Sequence, residues 1–239
     1  MILLCALVGL LTGSFLNWAS DYLPRFASGG AAPSFEATSR PVLALWHLLK
    51  ASASPRDLPP LQKSLCLGVA VELFTALLFA YLWERFGSSW RLLWPALTCS
   101  FFLLIAIIDL KYRLVLNVLI YPATVVTLLL RSVPPGMDTL TTLLGGAVGL
   151  FPFLLVALVR PGDIGGGDIK LAALIGLMVG FPQVLWALSL GILAGGITAL
   201  LLLLTHRCRP RSHIPYAPFL CLGAVFSITY DSLLLIFPL

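Results

Sequence analysis

The feature that most constrains this chain is a series of eight long apolar segments. They lie at residues 2–19, 65–83, 90–108, 114–130, 139–159, 169–181, 184–204 and 216–237. About 20 consecutive apolar residues can cross a bilayer as a helix, and only helices and closed barrels satisfy the backbone there. Charged residues make up 10% of the chain, against about 25% in a soluble domain. The sequence therefore predicts an all-α polytopic membrane protein, a bundle of about eight transmembrane helices.

The apolar segments predict one membrane-embedded domain over residues 1–239. The longest polar stretch, 20–64, is predicted to be a loop between the first two helices, with a short amphipathic surface helix at 42–50. The first segment begins at Met1 without a basic lead, so we interpret it as a retained helix and not a removed signal peptide. The sixth segment is short and could merge with the seventh or be re-entrant.

Lysine and arginine are distributed unevenly between the connecting segments, and this predicts the orientation. Loops 20–64, 109–113, 160–170 and 205–215 would share one side of the membrane. They hold Arg25, Arg40, Lys50, Arg56, Lys63, Lys111, Arg113, Arg160, Lys170, Arg207, Arg209 and Arg211, whereas the other side holds Arg85, Arg91 and Arg131. Because basic residues favour the cytoplasmic side, both chain ends are predicted to lie outside the cytoplasm. The net charge of +5 is explained by this topology and gives no reason to expect a nucleic-acid partner.

A glycine-rich segment at 160–170 interrupts the apolar pattern between the fifth and sixth segments. Its four glycines and one proline predict that no stable helix passes through it, so Asp168 would lie on a flexible loop. Acidic residues at a membrane boundary are costly and require a reason. Gly162 and Gly167 have the spacing of a phosphate-binding loop, but Asp168-Ile169 stands where Lys and Ser or Thr should follow, which excludes that interpretation.

Counting spans places Asp109 and Asp168 on the same side of the membrane. Asp109 ends the third segment, Asp168 precedes the sixth, and two crossings separate them. Two carboxylates a few ångströms apart cannot both ionise, so they share a proton and can act together as acid and base. Simpler interpretations remain open: Asp109 could pair with Lys111 or Arg113 at the border, and the glycine-rich segment could be an ordinary turn.

Other polar residues carry weaker signals. Glu72 lies inside the second segment, where an acid is either functional or a protonated side chain bonded to a neighbouring helix. The histidines have no shared metal spacing, and the five cysteines stand singly with no C-x-x-C pair, so neither a metal site nor a disulfide framework is predicted.

Five motifs, in order along the chain, resemble those of the type IV prepilin peptidases, which are intramembrane aspartic proteases with a G-x-G-D motif. The matching stretches are Gly13-Ser14-Phe15-Leu16-Asn17 with Leu23-Pro24-Arg25, Val71-Glu72-Leu73-Phe74-Thr75-Ala76, Ile108-Asp109 with Asn117 and Pro122, Gly165-Gly166-Gly167-Asp168-Ile169-Lys170-Leu171, and Ile214-Pro215-Tyr216-Ala217-Pro218-Phe219. The resemblance covers nearly the whole chain.

The resemblance implies an aspartic endopeptidase of the bacterial inner membrane, with prepilins or pseudopilins as substrates. Asp109 and Asp168 would be the catalytic pair, and Asp163 would not. Substrate-binding or motif residues would be Gly165, Gly166, Gly167, Lys170 and Glu72. Cleavage would occur on the cytoplasmic side, after a glycine, without a metal or organic cofactor.

The chain departs from the family pattern in its first loop. Many bacterial members have two C-x-x-C pairs there and also methylate the new N-terminus, but residues 20–64 contain no cysteine. N-methylation, with S-adenosylmethionine as a partner, is therefore an open question. Two other hypotheses also remain: a proton- or cation-coupled transporter that uses Glu72, Asp109 and Asp168, and an inactive scaffold with the same fold.

Overall fold

The computed structural model describes residues 2–27, 59–87, 92–131, 139–161, 164–205 and 215–230. All regular secondary structure within these ranges is helical. The helices are α1 (Ile2–Ala27), α2 (Pro59–Phe86), α3 (Leu93–Tyr112), α4 (Asn117–Arg131), α5 (Thr139–Val159), α6 (Gly166–Val179), α7 (Gln183–Leu204) and α8 (Ala217–Tyr230). Each corresponds to one predicted apolar segment, which confirms the all-α prediction.

Five of these helices are long and apolar enough to cross a membrane, namely α1, α2, α3, α5 and α7. Helices α4 and α8 are apolar but shorter. Helix α6 has 14 residues, so its axis is about 21 Å long, less than the ~30 Å of a hydrocarbon core. The protein is therefore a polytopic all-α membrane protein.

Helices α6 and α7 are separate and do not merge. Gly180 ends α6 with φ +82°, and its backbone N–H donates to the Gly176 carbonyl. A positive φ costs glycine little because it has no Cβ. Phe181 and Pro182 form a turn, and α7 then begins at Gln183.

The first loop is shorter than predicted, because α1 continues past residue 19 to Ala27 and α2 begins at Pro59. Polar residues suggested an earlier end to α1, but the fold accommodates them. Ser20 Oγ donates to the Asn17 carbonyl at 2.7 Å, and Asp21 is buried. The predicted surface helix at 42–50 lies outside the described residues.

The chain forms two compact units, Met1–Leu104 and Ile105–Leu239. In the first unit, α1 and α2 approach closely because α1 has two glycines, Gly9 and Gly13, spaced four residues apart. A Cβ added to Gly9 would lie 2.8 Å from the Ala76 Cα, and one added to Gly13 would lie 2.9 Å from the Glu72 Cα. Asn17 Nδ2 also donates to the Gly68 carbonyl at 3.1 Å. Small residues at such spacing let membrane helices pack backbone to backbone.

The second unit comprises the end of α3 and helices α4 to α8. Its centre is α6, which packs against α5 and also contacts α4, α7 and α8. Leu171, Leu174 and Ile175 of α6 are fully buried. A Cβ on Gly145 of α5 would collide with the Gly176 carbonyl oxygen of α6. These backbone contacts fix the position of α6, including its first turn.

Candidate active site

One cavity of about 600 Å³ in the second unit contains both candidate acids, Asp109 and Asp168. The cavity is also lined by two further polar side chains, those of Arg113 and Tyr216, and by Gly165, which has no side chain. The remaining wall is apolar, formed by Pro152, Phe153, Val156, Ile164, Ile192 and Pro215. A cavity of this size and composition can hold several residues of a peptide, with the acids as its main polar features.

Asp109 lies in the last turn of α3 and is 5% exposed. The backbone N–H of Ala217, the first residue of α8, donates to its carboxylate. The positive end of the α8 dipole is therefore directed at Asp109. The Asp109 Oδ2 atom is buried and accepts no hydrogen bond from the described residues. A buried carboxylate oxygen without a partner is costly, so this atom is available for a proton, a water molecule or a substrate.

Asp168 lies in the first turn of α6 and not on a flexible loop, which corrects the sequence-based expectation. Helix α6 begins at Gly166, with Gly165 as its N-cap at φ −67° and ψ 138°. The chain is not helical at Pro161 and Gly165, which lie between α5 and α6. Helix α6 nevertheless tolerates glycine at its first two positions, Gly166 and Gly167. An acidic residue in a first turn is stabilised by the helix dipole. The fold therefore holds Asp168 more rigidly than a loop would.

The carboxyl groups of Asp109 and Asp168 interact through their charges as well as sharing the cavity. Asp168 is half-buried and lies at the start of α6, which is not one of the five long spans. Burial raises the pKa of its carboxyl above the ordinary range. Two neighbouring carboxylates oppose each other's ionisation, which is the condition under which a pair of acids can share one proton.

The other predicted motif residues do not all lie at the cavity. Gly165 lines the cavity, but Gly166 and Gly167 do not. A Cβ on Gly167 would lie 2.7 Å from the Val115 Cβ, so this glycine allows the start of α6 to contact the α3–α4 connection. Lys170 points to α4, where its Nζ donates to Asn117 Oδ1 at 3.0 Å and lies 5.1 Å from the centre of the Tyr121 ring.

Glu72 belongs to the first unit, on α2. Its carboxylate accepts a hydrogen bond from the Ser14 side chain, and its buried Oε1 has no partner among the described residues. Glu72 does not line the cavity that contains Asp109 and Asp168. A role in binding substrate stays a prediction.

Sequence reasoning missed most of the cavity wall. Tyr216 lay within a recognised motif but was given no role; its ring centre is 6.4 Å from that of Phe153. Arg113 was considered only as a border ion-pair partner. Phe153, Val156 and Ile192 gave no signal, because an apolar residue that lines a cavity looks like any other apolar residue in a spanning segment.

The contact between Lys170 and Asn117 supports a first prediction. Lys170→Met should lower the peptide-cleaving activity that the resemblance implies by roughly three- to tenfold, because losing a hydrogen bond of about 0.5–1.5 kcal/mol loosens the turn that carries Asp168. Asn117→Asp retains an oxygen acceptor and should preserve most activity. Initial cleavage rates at equal enzyme amounts would test this. Equal activity in Lys170→Met and the unsubstituted protein would show that the contact does not position Asp168.

Within the described part of the chain, no group of three His, Cys, Asp or Glu side chains could hold a metal ion. Cys5, Cys99 and Cys221 are free thiols.

Comparison with known proteins identifies the class to which this fold and site belong. A sequence model of the type IV leader peptidase family matches residues 96–200, which include both Asp109 and Asp168. A prepilin leader peptidase/N-methyltransferase of Bacillus subtilis is 31% identical over 166 residues, covering 69% of this chain and 67% of the relative. One from Pseudomonas aeruginosa is 27% identical over 261 aligned positions, covering 96% of this chain and 90% of the relative.

A third protein with the same description, from Myxococcus xanthus, is 30% identical over 149 residues, covering 59% of this chain and 44% of the relative. No solved structure matches the chain significantly. The chain belongs to the type IV leader peptidase family. It is accordingly a protease, and a multi-pass protein of the bacterial inner membrane. The transporter hypothesis gains no support from these relatives.

Proposed function

We propose that the protein removes the leader peptide from type IV prepilins or pseudopilins, with Asp109 and Asp168 as its catalytic pair. The observation that carries the proposal is the presence of both carboxyl groups in one largely apolar cavity. The matching relatives are described as prepilin leader peptidases, which supports this substrate class.

The two acids can hydrolyse a peptide bond when they share one proton. The ionised carboxylate accepts a proton from a water molecule, whose oxygen attacks the scissile carbonyl carbon. The protonated carboxyl donates to the carbonyl oxygen, giving a neutral tetrahedral diol. When the carbon–nitrogen bond breaks, the carboxyl that was protonated by water gives its proton to the leaving amine, and the other carboxylate takes a proton from a diol hydroxyl, so the pair returns to its starting state. The reaction consumes one water molecule and requires no cofactor.

The cavity can accommodate an extended peptide because non-helical segments contribute to its wall. Ile164, Gly165, Pro215 and Tyr216 precede helices and are not themselves helical. Backbone groups in such segments are not all used within a helix, so they can satisfy those of an unfolded substrate at membrane depth. Gly165 is exposed and has no side chain, which lets a substrate backbone come close to the first turn of α6.

The same geometry supports cleavage on the cytoplasmic side. Arg113, Gly165 and Pro215 come from three connections that the charge pattern assigns to the cytoplasm, and all three line the cavity. A leader that immediately precedes the hydrophobic helix of a prepilin would lie at the cytoplasmic end of the membrane, where these connections line the cavity. We propose cleavage there, after a glycine, with both chain ends of the enzyme outside the cytoplasm.

N-methylation of the new N-terminus is a separate part of the proposal. The relatives are described as leader peptidase/N-methyltransferases, but residues 20–64 of this chain lack cysteine. A thiolate zinc site cannot form in that segment. The proposed peptidase chemistry uses Asp109 and Asp168 and no zinc site, so the two activities can be assayed independently.

Incubation of the purified enzyme with a prepilin would test the proposal. The products should be a free leader ending in glycine and a mature pilin shortened by the leader mass, as read by mass spectrometry. Adding S-adenosylmethionine with a labelled methyl group would show separately whether the new N-terminus is methylated. Inside-out vesicles should cleave added prepilin, whereas right-side-out vesicles should not. No cleavage by folded enzyme, or cleavage within the hydrophobic helix, would contradict the proposal.

A further inference from the structure

Arg113 adopts a backbone conformation that arginine rarely takes. It follows α3 directly with φ +54°, and its N–H donates to the Asp109 carbonyl at 2.8 Å. Helices commonly end in this left-handed conformation, but glycine usually occupies the position because a Cβ there is unfavourable. A residue held in a sparsely populated backbone region is strained, and such residues cluster at functional sites. The structure therefore bears a cost that glycine would not impose.

The left-handed turn brings Arg113 to the wall of the cavity that contains the two acids. Among the residues that the structure describes, Arg113 is the only basic one that lines this cavity. Its positive charge acts on the Asp109 carboxylate, to which the Ala217 N–H also donates. The negative charge of Asp168 has the opposite effect, because it repels the negative charge of an ionised Asp109. A cation near a pair of acids favours the singly charged state over the neutral one.

We propose that Arg113 is a positioning residue that sets the pH range in which the Asp109–Asp168 pair is singly ionised and able to activate water. This proposal rests on the proposed function, since it assigns Arg113 a role only if the pair is catalytic. Arg113 need not touch the scissile bond, because it acts through the charge of the pair.

The groups that could mask this effect are few among the described residues. The titratable side chains near the pair are Tyr216, whose phenol senses the charge of Asp168, and Cys221 of α8, whose thiol senses both acids. Neither is a cation at any pH. Removing Arg113 therefore removes positive charge that no other described residue lining the cavity replaces.

The test compares pH–activity profiles of Arg113→Gln, Arg113→Gly and Arg113→Lys. Loss of the positive charge makes each carboxyl hold its proton to higher pH. The profiles of Arg113→Gln and Arg113→Gly should therefore shift upward by about one pH unit, near the lower end of the effect of arginine on a neighbouring acid. Arg113→Lys should stay close to the unsubstituted profile. Lys111→Gln removes an equal charge outside the cavity wall and should not shift the profile.

The glycine variant separates charge from backbone conformation. Glycine adopts a positive φ without strain, so the melting temperature of Arg113→Gly should equal or exceed that of the unsubstituted protein. Unshifted profiles in folded Arg113→Gln and Arg113→Gly would overturn the inference and leave the peptidase proposal intact. An active Asp168→Asn variant would instead overturn the peptidase proposal. A Lys111→Gln shift as large as that of Arg113→Gln would also contradict a specific role for Arg113.

Discussion

Replacing either acid by asparagine should abolish prepilin cleavage. In Asp168→Asn and Asp109→Asn the pair loses the group that accepts a proton from water or donates one to the carbonyl. Each variant should therefore lose about 10²–10⁴-fold in rate, the usual contribution of a positioned acid or base. The change is nearly isosteric and leaves helices α3 and α6 without a volume change. Single-turnover cleavage of a prepilin in detergent would measure the effect.

Asp163→Asn is the matched control for this experiment. Asp163 belongs to the same glycine-rich segment as Asp168 but precedes the part that matches the family motif. It should retain appreciable activity, because the proposed chemistry uses only one aspartate of the segment. Membrane levels and melting temperatures should be measured for all three variants. Cleavage near the unsubstituted rate by folded Asp109→Asn or Asp168→Asn would exclude the proposed pair.

Gly176→Ala should reduce the stability of the second unit. A Cβ at this position would collide with the Gly145 carbonyl oxygen and lie 3.1 Å from the Gly146 Cα, both backbone atoms of α5. Helices α5 and α6 would have to separate, and overpacking of this kind costs about 1–3 kcal/mol. For a chain of this size, the cost corresponds to a melting temperature lower by roughly 2–12 °C.

Gly196→Ala is the corresponding control for stability. Gly196 lies within α7, and a Cβ there would meet nothing within 4 Å. Alanine also has a higher helix propensity than glycine, so the melting temperature should stay the same or rise slightly. Thermal unfolding of the purified proteins in one detergent would compare the two. Equal melting temperatures for Gly176→Ala and the unsubstituted protein would show that α5 and α6 are not closely packed at Gly145.

The positions of the helices could be predicted because hydrophobicity in a membrane protein is a local property of the sequence. The ends of the helices were harder to predict, since they depend on tertiary contacts. Helix α1 passes Ser20 and Asp21 because the fold buries these polar residues. Helix α6 begins inside the glycine-rich segment because Gly165 serves as its cap and Gly167 packs against the α3–α4 connection.

The cavity was only partly predictable for the same reason. Asp109 and Asp168 stood out because acids near hydrocarbon are rare, and span counting placed them on one side. Phe153 and Ile192 could not be recognised, because lining a cavity is a property of the assembled helices. Arg113 appeared to be a border cation until its backbone conformation placed it beside the two acids.

The sequence alone determined the membrane class, the order of the helices and the two acids that matter for the proposed chemistry. The membrane class and the helix order follow from residue polarity along the chain, because the bilayer selects apolar segments and penalises charge. The choice of Asp168 over Asp163 came from the resemblance to the family motif. Only the tertiary structure decided that Asp109 and Asp168 share one cavity, that Asp168 lies in a helical turn, and that Arg113 joins them. Those facts depend on the close approach of helix backbones at glycines such as Gly145 and Gly176, and residue polarity does not encode that distance.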